Sequence, residues 1–238
     1  MKSINLSNFE YINEPFAHCV IENFFDENDA DILHNNIISL KMNNANSKFI
    51  IKDPRQYNKF GFSEINNLPL PLQNTFIYLN SKEFVGQIEK LTGISNIIYG
   101  DYKLRGAGVH MIKKNGYLNM HTDFNSYSHP VHGLLDRRVN LLIYMNKDWK
   151  TEYKGNLLLY HPNDITKVKS IKPIFNRAII FNTTNKSIHG HPEPLNVPNE
   201  NIYRKSIAVY YYTKNTRGNV DFEGDHKHST LWHKSPKL

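Results

Sequence analysis

From about residue 97 onward the chain reads as a succession of short β-rich runs, broken by Gly, Pro, Asn and Asp, with no helical stretch between them. The runs fall at 102–113, 117–124, 138–146, 155–161, 167–175, 177–183, 186–189 and 203–213. Many short strands with turn signals and no intervening helices predict a sandwich or barrel. The preceding stretch has a different texture. Residues 16–24 read as a strand. Asp26 is placed to cap a helix over 27–43, with Ala30, Leu33, Ile37 and Leu40 as its apolar stripe. Residues 45–68 are polar and irregular, Leu72 to Leu79 looks helical, and Ser81 caps a second helix that stops at Gly93. The expectation is an α+β, mostly β fold, with an N-terminal helical layer packed on one sheet. Residues 1–213 form one domain (1–96 strand and helices, 97–213 the β unit), and 214–238 form a polar, His-rich tail.

With 238 residues the chain can bury a core without staples. Cys19 is the single cysteine, which excludes an internal disulfide and fits a reducing compartment. The N-terminus MKSINLSNFEYINEP has neither a long apolar run nor a cleavage site, and no stretch approaches the roughly 20 apolar residues of a membrane helix. A soluble, cytoplasmic protein is expected, without membrane contact. The net charge of +7 is spread along the chain, with no tight basic block and no zinc-finger, helix-turn-helix or RNA-motif signature. Nucleic acid is therefore not the expected partner.

Candidate chemistry begins at His121-Thr122-Asp123. Residues two apart on a strand project to one face, so His121 and Asp123 can grip one ion. The pair alone is weak, since His191-Pro192-Glu193 has the same spacing. His189, 66 residues beyond Asp123 and just after the apolar run Ala178-Ile179-Ile180-Phe181, offers a third ligand. Two histidines and a carboxylate leave three iron positions open, as non-haem Fe(II) oxygenases require; zinc accepts the same set. In the run from Tyr203, one face reads Arg204, Ser206, Ala208 and the other Lys205, Ile207, Val209. A guanidinium followed by small residues suits a pocket that takes a carboxylate bidentately. In 138–146, Val139, Leu141, Ile143 and Met145 are apolar, whereas Arg138, Asn140, Leu142 and Tyr144 are mixed; the Tyr144 hydroxyl could serve the same anion.

These elements, in this order, resemble the prolyl 4-hydroxylase-like group of Fe(II)/2-oxoglutarate-dependent dioxygenases. The likeness runs from about His110 to Thr213 and includes Arg138-Val139-Asn140-Leu141-Leu142-Ile143-Tyr144-Met145-Asn146-Lys147-Asp148-Trp149, Asn176-Arg177-Ala178-Ile179-Ile180-Phe181, Ser187-Ile188-His189-Gly190 and Arg204-Lys205-Ser206. The resemblance implies a double-stranded β-helix (jelly-roll) core. It implies iron on His121, Asp123 and His189, and 2-oxoglutarate held by Arg204 and Tyr144, with His110 lining its pocket and Ser206 on the Arg204 face. The activity implied is hydroxylation of an unactivated C–H using O2, with succinate and CO2 released and ascorbate as reductant. A prolyl residue of a protein or peptide is the expected substrate. A free amino acid, a glycan or another small molecule is the alternative, and a non-catalytic, cupin-like binding module competes with both.

The chain departs from the family in two places. Gly155-Asn156 stands where Gly-Gly is common, and 15 residues separate His189 from Arg204, which leaves His191 as alternative ligand and Lys205 as alternative cation. The segments Ser47–Phe62 and Asn125–Asp136 are expected to border the pocket mouth, with Tyr57, Phe60, Tyr127 and His129 as substrate contacts. In the tail, His226 and His228 repeat the metal-pair spacing, but the expected reading is a solvated segment with Leu231-Trp232 anchored on the barrel or helices.

Overall fold

The computed structural model describes residues 4–50, 53–214 and 226–234. Its strands are β1 (His18–Ile21), β2 (Ser47–Phe49), β3 (Gln56–Phe62), β4 (Gly108–Thr122), β5 (Ser126–His129), β6 (Gly133–Tyr144), β7 (Leu157–His161), β8 (Asp164–Ile171), β9 (Arg177–Asn182), β10 (Ile188–His191), β11 (Arg204–Lys214) and β12 (Leu231–Trp232). The helices are α1 (Glu27–Ile38), α2 (Leu70–Leu79) and α3 (Lys82–Thr92). The strands form one curled antiparallel sheet in the order β1-β9-β6-β11-β4-β10-β7-β8. The long β4 is the hinge of the curl. One of its edges pairs with β11 at its start and with β10 at its end, and the other carries β3 and then β12. The mostly β architecture with few helices is consistent with a jelly roll.

Period-two alternation divides each central strand between two environments. Val139, Leu141, Ile143, Ile207, Val209 and Tyr211 share one apolar cluster with Leu33, Ile37, Leu72, Phe76, Phe84 and Ile88 of the helices. The opposite face of β6 turns inward, where Tyr144 and Leu142 meet Leu157 and Leu159 of β7 and Phe181 of β9. The inner face is thus closed over by the far limb of the curled sheet. Among the described residues no helix is long and apolar enough to cross a membrane.

Helix signals hold locally. The Asp26 side chain accepts from the Asn28 amide, Ser81 accepts from Phe84, and Gly93 ends α3 in the left-handed region at φ 72°. Helix α1 stops at Ile38, short of the expected residue 43. Ser39 and Asn36 turn their side chains onto backbone carbonyls, and Leu40 closes a tighter turn on Ile37, a competition that short polar side chains set up against helix propagation. The stretch 45–68 is not irregular. Its β2–β3 hairpin pairs with β4, and its alternation is hidden by a register shift between Tyr57 and Lys59, where Asn58 takes φ 50°. The expected strands 102–113 and 117–124 are one strand from Gly108, with Asn115 at φ 61° within it. The expected loop 125–136 is largely the β5–β6 hairpin.

Candidate active site

The register explains how distant residues meet. His189 of β10 lies directly opposite His121 of β4, and directly opposed residues share a face. Asp123 follows two residues later. One ligand atom from each of His121, Asp123 and His189 lies within 4.8 Å of the others, and all three residues are buried. The Nε2 atoms of His121 and His189 sit 3.6 and 3.4 Å from Asp123 oxygens. Each ring places its other nitrogen against a backbone carbonyl two residues back: His121 Nδ1 to Asn119 O at 2.8 Å, and His189 Nδ1 to Ser187 O at 2.9 Å. Those contacts require a proton on Nδ1. Burial, above all, lowers the pKa of His121, so its Nε2 presents a lone pair to a carboxylate. A lone pair facing an anion at this distance fits a cation between them, and two imidazole nitrogens with one carboxylate suit Fe(II).

Asp123 is fixed from behind. Its Oδ2 accepts from Arg137 at 2.9 Å and from Asn140 at 2.7 Å, and Arg137 Nε donates to Asn140 Oδ1 at 2.8 Å. Burial alone would raise the carboxyl, but the Arg137 guanidinium beside it outweighs that and holds Asp123 well below the usual range. The guanidinium lies 3.3 Å from the Tyr210 ring centroid and 4.6 Å from that of Phe124. The sequence pattern missed Arg137. Strict alternation places it on the helix side of β6, but the pairing with β11 shifts between Tyr211 and Tyr212, and the extra residue on β6 reverses its direction. Asn140 was visible on the mixed face of β6 but had no evident role.

A cavity of about 80 Å³ extends from the triad to Arg204. Arg204 is buried; its Nε donates to Gly155 O at 2.7 Å and its NH2 lies 3.3 Å from the Tyr144 hydroxyl. Among the described residues it has no acidic partner. Gly155 is needed here on two counts. It takes φ 76°, and a Cβ would stand 2.4 Å from Leu195 and 3.2 Å from the Arg204 side chain. His110, Ser206 and Tyr144 line the same cavity. Burial first, then the Lys59 charge, push the His110 imidazole down to about 3, so it is neutral. Lys205 points away, its Nζ on Tyr203 O. His191 lines the cavity but is not among the three converging ligands.

The four expected substrate contacts are not in this cavity. Phe60 is buried in the helix-side core, because β3 turns Lys59 inward instead. Tyr57 packs on Tyr117 with ring centroids 6.2 Å apart. Tyr127 meets His129 edge-on and packs at a tilt against Tyr212. His129 faces Asp101 at 3.4 Å and accepts at Nδ1 from the Val131 and His132 amides, beside a separate cleft. Its role there is to close a turn. Lys59 itself was not singled out, since its strand was not recognised.

The tail reaches the site. Strand β12 pairs with β4 so that Trp232 opposes His121, with ring centroids 5.3 Å apart. Asn125 ties the approach, donating to His226 O and accepting from the His228 amide, each at 2.8 Å. Of the expected tail, residues 215–225 and 235–238 lie outside the described residues. Among the described residues, His226 and His228 join no group of three potential ligands.

Residues 107–212 match the 2OG-Fe(II) oxygenase superfamily. That stretch holds His110, all three converging ligands, Tyr144 and Arg204. It is 25% identical over 213 residues to mouse prolyl 3-hydroxylase OGFOD1, a match covering 84% of this chain but 33% of that protein. The chain thus spans about a third of the length of this curated relative. In fold it is similar to a Trichoplax adhaerens prolyl hydroxylase solved with a hypoxia inducible factor peptide: TM-score 0.58, 18% identity, 83% of each chain covered. It is also similar to HygX of Streptomyces hygroscopicus, solved with nickel, 2-oxoglutarate and hygromycin B: TM-score 0.53, 10% identity, with 84% of this chain and 83% of that one covered. The chain is therefore similar in fold to a solved prolyl hydroxylase.

Proposed function

We propose that the oxygenase hydroxylates an unactivated C–H, on a prolyl residue of a protein or peptide, with 2-oxoglutarate as cosubstrate. One observation carries the reading. Two imidazole nitrogens and a carboxylate converge within 4.8 Å at one end of a cavity whose other end holds a buried guanidinium without an acidic partner. When bound there, Fe(II) with 2-oxoglutarate and O2 supplies the oxidising power for C–H hydroxylation, releasing succinate and CO2. The chain's own residues do the rest. His121, Asp123 and His189 hold the metal, and the Asn119 and Ser187 carbonyls orient the two rings. Arg204 and the Tyr144 hydroxyl receive the distal carboxylate of the cosubstrate, and neutral His110 and Ser206 line its walls without adding charge. Ile112, Leu118, Leu142 and Leu157 keep water out, which strengthens every charged contact inside.

Support for a prolyl substrate comes from the mouse relative and from the peptide-bound Trichoplax structure. The same chemistry on a small molecule is a second reading, favoured by the fold similarity to HygX with hygromycin B bound. The deciding measurement is succinate release with Fe(II), 2-oxoglutarate and ascorbate across proline-containing peptides and a small-molecule panel. His121→Ala, Asp123→Ala and His189→Ala are each expected to abolish both iron binding and turnover while leaving the fold intact. Iron retained by His189→Ala but lost by His191→Ala would overturn the ligand assignment.

A further inference from the structure

The charges built into the cavity do not balance. Lys59 of β3 and Arg204 of β11 are both register partners of Ile112 on β4, one on each side of it. Opposed residues on antiparallel strands share a face, and both side chains line the cavity. Adjacent strands lie about 4.8 Å apart, so the two backbones are separated by roughly 10 Å and long side chains can work on one ligand set. Arg204 is engaged by Gly155 O and the Tyr144 hydroxyl. The Lys59 ammonium has no hydrogen-bond or ion-pair partner among the described residues. Asp123 is the one carboxylate among the lining residues, and Arg137 already matches it.

Loading the site does not remove the excess. A divalent metal and a dianionic cosubstrate cancel, and Arg204 serves a cosubstrate carboxylate, so the Lys59 ammonium still lacks a counter-charge. Burial lowers that ammonium to about 8, with Asp123 opposing and the two arginines reinforcing the shift, which leaves it mainly charged at neutral pH. Desolvating a cation without a partner costs free energy, and an arriving anion offsets that cost. The net charge of +7 favours approach of the same kind of ligand.

We propose that Lys59 receives a carboxylate of the substrate, carried close to the carbon that is hydroxylated, so that the oxygenase selects acidic substrates. This rests on the oxygenase reading and names its substrate class. The carboxylate could belong to an acidic side chain beside a proline or be the α-carboxylate of a free amino acid.

The test uses the full chain loaded with Fe(II) under anaerobic conditions and saturated with 2-oxoglutarate. Binding is read by calorimetry at low salt for two isosteric pairs: Ac-Asp-Pro-Gly-NH2 against Ac-Asn-Pro-Gly-NH2, and L-proline against L-prolinamide. A preference of ten-fold or more for the acid of either pair is expected, and the pair that shows it identifies the source of the carboxylate. Lys59→Met should erase that preference while the Kd for 2-oxoglutarate moves less than two-fold, and Lys59→Arg should retain most of it. The proposal fails if neither acid is preferred, or if Lys59→Met keeps the preference. It also fails if the loss in Lys59→Met falls on 2-oxoglutarate instead. Should wild-type protein loaded with Fe(II) not bind 2-oxoglutarate at all, the oxygenase reading itself falls and takes this proposal with it; cosubstrate binding without acid preference sinks the proposal alone.

Discussion

A carboxylate proposed as a metal ligand must also hold one rotamer, and Asp123 is fixed by accepting from both Arg137 and Asn140 at a single oxygen. Asn140→Leu removes one donor and frees Arg137 Nε from its acceptor. Support of this kind is worth about 10–100-fold in metal affinity, so chelator competition should show a loss in that range with the fold retained. An unchanged affinity would mean that Arg137 alone orients the ligand. At the other end of the cavity, Arg204→Met should raise the 2-oxoglutarate Kd strongly, since a desolvated charge pair that loses one partner costs about 2–5 kcal/mol. Tyr144→Phe should cost about 1 kcal/mol, the net worth of one hydrogen bond. Calorimetric titration of both variants checks the order, and a larger loss in Tyr144→Phe would show that the guanidinium is not the main anchor.

At the scale of elements, the strands carry the site and their junctions aim it. Much of this was legible. The alternation of Arg204 and Ser206 against Ile207 and Val209 separates cavity from core, as does that of Leu142 and Tyr144 against Val139, Leu141 and Ile143. What escaped the pattern was set by backbone irregularities. The register shift at Tyr57/Lys59 disguised β3 and with it Lys59, and the shift at Tyr211/Tyr212 turned Arg137 inward. Strand β12 is two residues long and depends on its pairing with Thr122 and His121, so no local periodicity announces it. The turn before β7 gives a direct test. Gly155→Ala would force an L side chain to φ 76° and into Leu195, displacing the carbonyl that braces Arg204. The expected outcome is a weaker 2-oxoglutarate Kd with metal affinity unchanged; a loss of metal instead would mean that the turn supports the triad.

For the molecule as a whole, one face of the sheet shares an apolar cluster with helix residues and the other is covered by the far limb of the curl, so buried His18 and half-buried His34 sit where water stabilises their charged form poorly. His18 is fully buried, with Nδ1 on Phe16 O at 2.8 Å and Nε2 without a partner among the described residues. His34 places its Nδ1 on Met145 O at 2.9 Å. Burial is the main cause lowering both imidazoles below 6.5, partly opposed by those carbonyls. In the unfolded chain the same groups protonate near 6.5. Below that pH the unfolded state therefore binds more protons than the folded state, and stability falls as pH falls, by at most about 1.4 kcal/mol per pH unit for each such group. Asp123, held well below its ordinary value, acts in the same direction but only as pH drops through the carboxylate range. Urea unfolding of metal-free protein should accordingly give a lower midpoint at pH 5.0 than at pH 7.5. His18→Leu removes one of these titrations while keeping an apolar side chain of similar reach between Phe16 and Phe181, so its midpoint should depend less steeply on pH over that window. A wild-type midpoint that does not move between the two pH values would mean that the buried imidazoles gain protons as readily folded as unfolded, and the insulation inferred from the two-sided packing would be wrong.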